Sequence, residues 1–290
     1  MQRVARFALR YRSMRKRLGR IKLFSGALQR GHVLYIVLVV VGISMIGYSA
    51  LNLLGIQREN ESARSEYDQL RELRPAMFTD QSGFSLQQTL SGQDAERYAL
   101  FHPLVTNQSF SDFLEPEQPD PLAGLAEINR DFVGWIMIGD FIDYPVVRGR
   151  DNSRYLDTTF SGQKNVSGAI FMDHANTRGF DETVAVLYGH NMRNGTMFAP
   201  LHRYRDRSYM AENPNILILT AKGELLLYRI FAARVTDVDD RDADLGFLSG
   251  ATTSGVFRNA PAGSNRFLVL STCTSVDENE RLRIYAALVE

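Results

Sequence analysis

Between Gly31 and Gln57 the chain carries no Lys, Arg, Asp or Glu, and its centre, Val33 to Gly47, is almost wholly apolar. No other stretch constrains the fold as strongly. A surface helix needs a polar face, and this run has none. An uncharged run of this length can cross a ~30 Å hydrocarbon core as a helix. Ten basic residues precede it (Arg3, Arg6, Arg10, Arg12, Arg15, Lys16, Arg17, Arg20, Lys22 and Arg30), with no acidic residue among positions 1–30. A basic tail alone would also suit nucleic acid. Followed by an apolar span, it is read by the positive-inside rule instead, with residues 1–30 in the cytoplasm and the rest outside. A cleaved signal peptide is the alternative. Its apolar region is typically about 7–15 residues long and ends at a small-x-small site. Ser49-Ala50 offers small residues, but the run is longer than that. The reading is therefore a single-pass, uncleaved signal anchor at 31–56.

The formal net charge of zero hides this division, because positions 31–290 hold 23 basic and 33 acidic side chains. The outer part has one cysteine, Cys273. An exported domain with a single cysteine cannot close an internal disulfide, so the thiol is either paired with another chain or free and reactive. The five histidines (His32, His102, His174, His190 and His202) lack ligand spacing, so neither a metal nor another cofactor is read from the sequence.

Cys273 ends an apolar run of strand type, Phe267-Leu-Val-Leu-Ser-Thr-Cys273. A polar turn, 274–280, is too short for a helical crossover. The next stretch has period two, with Leu282, Ile284, Ala286 and Leu288 on one face and Arg281, Arg283 and Tyr285 on the other. Two neighbouring strands would set the thiol facing an arginine. A thiol needs a base or a cation nearby to ionise at neutral pH. The candidate base is His190, which closes another apolar strand, Val184-Ala-Val-Leu-Tyr-Gly-His190. Singly, such residues are most often a small buried hydrophobe and a turn residue; at three strand ends together they suit nucleophilic catalysis. Cys273 is the candidate nucleophile and His190 the acid and base. Arg281 is the candidate donor to an oxyanion or to substrate backbone. Arg283 has the same strand parity and is the rival for that role, with a solvated surface charge as its favoured reading.

These residues stand in wording that resembles the sortases, class B most closely. Leu270-Ser-Thr-Cys273 with Arg281, Tyr188-Gly-His190-Asn-Met, Asp131-Phe-Val-Gly-Trp-Ile136, Ile142-Asp-Tyr-Pro-Val-Val147, Asp151-Asn-Ser-Arg-Tyr-Leu156, Gly168-Ala-Ile-Phe-Met-Asp173 and Gly195-Thr-Met-Phe198 carry the likeness, in order, from about Leu122 to Glu290. The resemblance favours Arg281 over Arg283. It also implies that Asn152, Leu156, Tyr188 and Ser271 contact the sorting peptide, against ordinary core packing for Leu156 and Tyr188. Thr274 stands where some members have an acidic residue.

The expected organisation is a basic cytoplasmic tail at 1–30, the anchor at 31–56, a stalk and linker at 57–121 and a catalytic domain at 122–290. Within the stalk, Arg58–Arg74 reads as a polar helix stopped by Pro75, and 76–120 as a Pro-containing linker. A short helix is expected at Leu122–Asn129 and a helical turn at Ala199–Tyr204. Strands are expected at Gly134–Ile138, Ile142–Val147, Gly168–Met172, Thr183–Tyr188, Asn215–Thr220, Glu224–Val235, Phe267–Thr272 and Arg281–Val289. Eight short strands with few helices argue for an antiparallel or mixed barrel, and the resemblance implies the eight-stranded sortase barrel, with a helix near 245–257 walling the substrate groove. The implied activity is cysteine transpeptidation: cleavage of a secreted protein's C-terminal sorting signal through a thioester, then transfer to an amine of peptidoglycan or of a pilin, outside a single-membrane, Gram-positive-type cell. Nucleic acid is not an expected partner. A hydrolytic cysteine protease passes through the same thioester, and an inert membrane-anchored binding module would keep the barrel without the chemistry.

Overall fold

A computed structural model of the chain describes residues 2–73, 121–237, 265–274 and 279–289. The linker expected at 76–120 and the helix expected near 245–257 lie outside the described residues. Two compact units are present, residues 1–58 and residues 59–290. A single helix, α1 (Gln2–Glu72), contains the uncharged run. Val33, Leu34, Ile36, Leu38, Ile43 and Ile46 are each more than half exposed, so the run presents apolar side chains outward. Among the described residues it is the one helix long and apolar enough to cross a membrane.

Eight strands make the second unit a closed barrel. They are β1 (Phe132–Ile138), β2 (Ile142–Val147), β3 (Ile170–Met172), β4 (Val184–Tyr188), β5 (Asn215–Thr220), β6 (Leu225–Asp237), β7 (Phe267–Cys273) and β8 (Glu280–Leu288). Their order around the barrel is β1-β2-β3-β4-β7-β8-β6-β5, with β1 pairing β5 to close it. The sheet is mixed: β2–β3 and β4–β7 are parallel, and the other pairs are antiparallel. Each expected strand is present within two residues of its expected ends. Among the described residues the short α-helices are α2 (Pro121–Ile128) and α3 (Arg207–Glu212). The sequence reading did not anticipate α3, although Asp206 caps it, its carboxylate accepting from the Ser208 N–H at 2.8 Å. The turn expected at 199–204 is a 3-10 helix, Ala199–Arg205.

Closure makes one face of every strand interior. Ile136, Ile170, Ile218, Leu268, Leu270, Ile284 and Ala286 are fully buried there, which gives the dominant hydrophobic contribution to stability. A second cluster, Phe231, Ala232, Val269, Tyr285 and Ala287, lies on the opposite parity of β6, β7 and β8 and is also buried. At Val269, Tyr285 and Ala287 both faces of β7 and β8 are therefore covered.

The last turns of α1 belong to the barrel unit. Ala63, Tyr67 and Leu70 fall four and three apart, one helical stripe, and are at most 5% exposed. The Tyr67 hydroxyl donates to the Gly168 carbonyl at 2.6 Å, and its ring meets Tyr144 edge-on at 5.1 Å. Arg71 Nε donates to the Asp143 carbonyl at 3.0 Å, and Asn165 Nδ2 to the Glu59 carbonyl at 2.8 Å. In a segment otherwise rich in Glu, Arg and Gln, three apolar positions were too few to mark a packed face in the sequence.

Candidate active site

Strand register builds the site. In β7–β8, Cys273 lies opposite Arg281, and Ser271 opposite Arg283. The Thr274 N–H donates to the Glu280 carbonyl at 3.2 Å, so that neighbouring position is a hydrogen-bonded pair. Antiparallel ladders alternate, which makes Cys273–Arg281 a non-hydrogen-bonded pair, where facing side chains approach most closely. The backbone groups of Cys273 then point away from β8, toward β4.

On that side β4 runs parallel to β7, with Tyr188 beside Ser271 and the Gly189 N–H donating to the Ser271 carbonyl at 3.2 Å. His190 is two residues beyond Tyr188, as Cys273 is two beyond Ser271. Tyr188, Ser271, Cys273, Arg281 and Arg283 therefore share the outer face, at the ends of three adjacent strands. Cys273 and His190 are both partly exposed.

His190 is held from two directions. Its Nε2 lies 2.6 Å from the Leu156 carbonyl. A carbonyl only accepts, so Nε2 carries the hydrogen, and in the neutral ring the lone pair is on Nδ1. The His190 carbonyl accepts from the Phe198 N–H at 2.9 Å. Gly189 is required here, because a Cβ at that position would stand 2.7 Å from the Phe198 ring. Leu156 is fixed in turn by Gly168, whose φ is +55° and whose Cβ would meet the Tyr155 and Leu156 carbonyls at 2.4 and 2.7 Å. The Leu156 side chain is 44% exposed beside the site, which rules out core packing for it.

The other residues singled out from the sequence divide. The Tyr188 hydroxyl donates to Asp173 Oδ2 at 2.8 Å, and its ring stacks obliquely on Phe171 at 5.3 Å. Asn152 Oδ1 accepts from the His174 N–H at 2.9 Å, and His174 Nδ1 is 3.3 Å from Asp173 Oδ1. Tyr188 directly and Asn152 by way of His174 thus converge on Asp173, a carboxylate only 4% exposed to which the sequence assigns no role. Ser271 is buried between Tyr188 and Arg283 in the ladder.

Arg281 is half-buried, and its Nη1 donates to the Glu280 carbonyl at 3.0 Å. Arg283 is not the solvated charge expected from alternation. It is 5% exposed and its Nη2 donates to the Asp237 carbonyl at 3.4 Å. Alternation predicts exposure only where the outer face meets water, and here that face is buried.

One contact had no precedent in the sequence. His202, in the 3-10 helix, points Nε2 at the Cys273 carbonyl, 3.1 Å away. Burial of the ring lowers its pKa below the ordinary histidine value, and the bond to Cys273 partly opposes that shift. The two residues are 71 apart in sequence, and no local pattern marks the pair.

The family model for the sortase domain matches residues 137–289. A Listeria monocytogenes protein named Sortase B is 32% identical over 195 residues, covering 62% of this chain and 78% of that protein. Among solved structures, Clostridium perfringens Sortase B superposes with a TM-score of 0.52 at 29% identity, over 58% of this chain and 99% of its own. A Streptococcus pyogenes class B sortase involved in pilus biogenesis gives a TM-score of 0.51 at 28% identity, over 58% and 97% of the two chains.

Proposed function

This chain belongs to the sortase family of cysteine transpeptidases, with class B members as its relatives, and on that premise we propose how its own residues carry the reaction. The Cys273 thiolate attacks the carbonyl carbon of the scissile peptide bond in a C-terminal sorting signal. Charge collects on the carbonyl oxygen, and the Arg281 guanidinium stabilises it. The C–N bond breaks as His190 gives a proton to the departing amine, leaving a thioester on Cys273. An incoming amine attacks that thioester, His190 takes its proton, and Cys273 leaves as thiolate while a new amide forms. Asn152, Leu156 and Tyr188 line the path of the peptide, and Ser271, itself buried, stands beside Tyr188 in the ladder that holds that wall.

The observation that supports this reading is the register pair Cys273–Arg281 across the ends of β7 and β8, with His190 just beyond the end of the parallel neighbour β4. The acceptor is an amine of peptidoglycan or a pilin lysine, outside the membrane, with the α1 span as anchor and residues 1–30 inside. The test is to incubate the full chain in detergent with a library of candidate sorting peptides, with and without an amine. A ligated product that appears only with the amine supports the reading. Hydrolysis alone indicates a protease, and no turnover indicates a binding module.

A further inference from the structure

The parallel ladder between β4 and β7 stops at a particular atom. The Ser271 carbonyl receives the Gly189 N–H. Two residues on, the Cys273 carbonyl faces the same side, but β4 has ended at Tyr188, and the chain beyond His190 turns so that Asn191 bridges Met197. The donor a continued strand would have supplied comes instead from His202 Nε2, at 3.1 Å. A backbone carbonyl left without a donor at such a place costs free energy and frees the strand end to move.

His202 is also tied to His190. The segment that leaves His190 returns through Phe198, whose N–H holds the His190 carbonyl at 2.9 Å and whose ring lies over Gly189. One residue later the 3-10 helix begins, and His202 is its fourth residue. A single short segment therefore grips the backbone of both the proposed nucleophile and the proposed acid and base. We propose that His202 is a positioning residue, whose Nε2–H replaces the missing ladder donor and holds the thiol-bearing end of β7 in register with His190 and Arg281. The inference rests on the transpeptidase reading given above. His202 touches neither the thiol nor the scissile bond, and acts through the Cys273 carbonyl. Misplacing a nucleophile affects the chemical step more than peptide binding, so kcat falls while KM holds.

Because the chain has one cysteine, cysteine labelled with carbon-13 at its carbonyl gives one carbonyl resonance that reports this bond directly. It is read by NMR on the full chain in detergent, beside kcat and KM for the library peptide that wild type turns over fastest, with hydroxylamine as the amine. His202→Leu removes the donor. His202→Gln keeps a side-chain N–H. His202→Glu has nearly the shape of Gln but offers an acceptor, so the Gln and Glu pair decides the matter even if the Leu variant does not fold. The expected result is an upfield move of the resonance in Leu and Glu, with kcat down about five- to tenfold and KM little changed, and recovery of both signals in Gln. A resonance that does not move, or a kcat unchanged while it moves, overturns the proposal, as does a Gln variant no better than Glu. A wild type silent toward every peptide removes the transpeptidase reading itself and His202's part in it. The resonance still shows whether the bond exists, so the two failures are told apart.

Discussion

The two faces of β7 and β8 contrast sharply. Inward, Leu268, Leu270, Thr272, Leu282, Ile284 and Ala286 are all at most 2% exposed, with no titratable group among them. Outward, the same strands pass from the buried Val269 and Tyr285, through Ser271 and Arg283, to the partly exposed Cys273 and Arg281. The inward face is uniform because barrel closure leaves it one environment. The outward face is graded, and the residues proposed for the chemistry stand where the ladder ends. There the protein can place a thiol, an imidazole and a guanidinium without burying any of them fully.

Substitutions should separate the two faces cleanly. The largest effect is expected from Cys273→Ala, which should abolish ligation while leaving the thermal midpoint near wild type, since one small, partly exposed side chain is lost. His190→Ala should also abolish turnover. Ligation by either variant at a rate near wild type would break the contrast. Arg281→Ala comes next, with a rate loss of about 10²–10³, as for removal of an oxyanion donor. On the inner face Leu270→Ala should cost about 2–5 kcal/mol in a denaturant midpoint series, with kcat preserved in the folded fraction. A Leu270→Ala protein that kept its stability but lost kcat would show that the faces are not separable.

Arg283→Ala sharpens the comparison, because this residue lies on the outer face yet is buried. Losing a charged hydrogen bond there should cost about 1–3 kcal/mol of stability, with much less loss of rate than Arg281→Ala. The opposite ranking of the two arginines in turnover would reassign the oxyanion role.

The smallest effect expected is a pH dependence of stability from His202. Burial lowers its pKa in the folded protein, so the unfolded chain binds the proton more readily. The neutral ring's contribution is complete above the ordinary value of 6.5 and is lost as pH falls through it, levelling off below the folded-state pKa. Thermal midpoints between pH 5 and about pH 8 should fall on the acid side more for wild type than for His202→Gln.

Much of this was legible in the sequence, for physical reasons. Period-two alternation and compact apolar runs located all eight strands, and a short turn kept β7 beside β8, so parity set Arg281 and Arg283 on one face near Cys273, and the family resemblance chose Arg281 between them. What was not legible depends on sequence-distant contacts. The parallel pairing of β4 with β7 joins strands about 80 residues apart, and no periodicity encodes a partner choice. Covering of the outer face turned Arg283 from a surface charge into a buried one. The packing of Ala63, Tyr67 and Leu70 and the reach of His202 to Cys273 likewise appear only once the chain is folded.

The central claim is that Cys273 becomes acylated by a peptide and yields the acyl group to an amine. Intact-mass spectrometry of the full chain mixed with a sorting peptide tests it directly. The account predicts an acyl adduct that maps to Cys273, is absent in Cys273→Ala and is discharged when an amine is added, with the ligated peptide recovered. A wild type that forms no adduct with any sorting peptide, or a Cys273→Ala protein that still ligates, would contradict it.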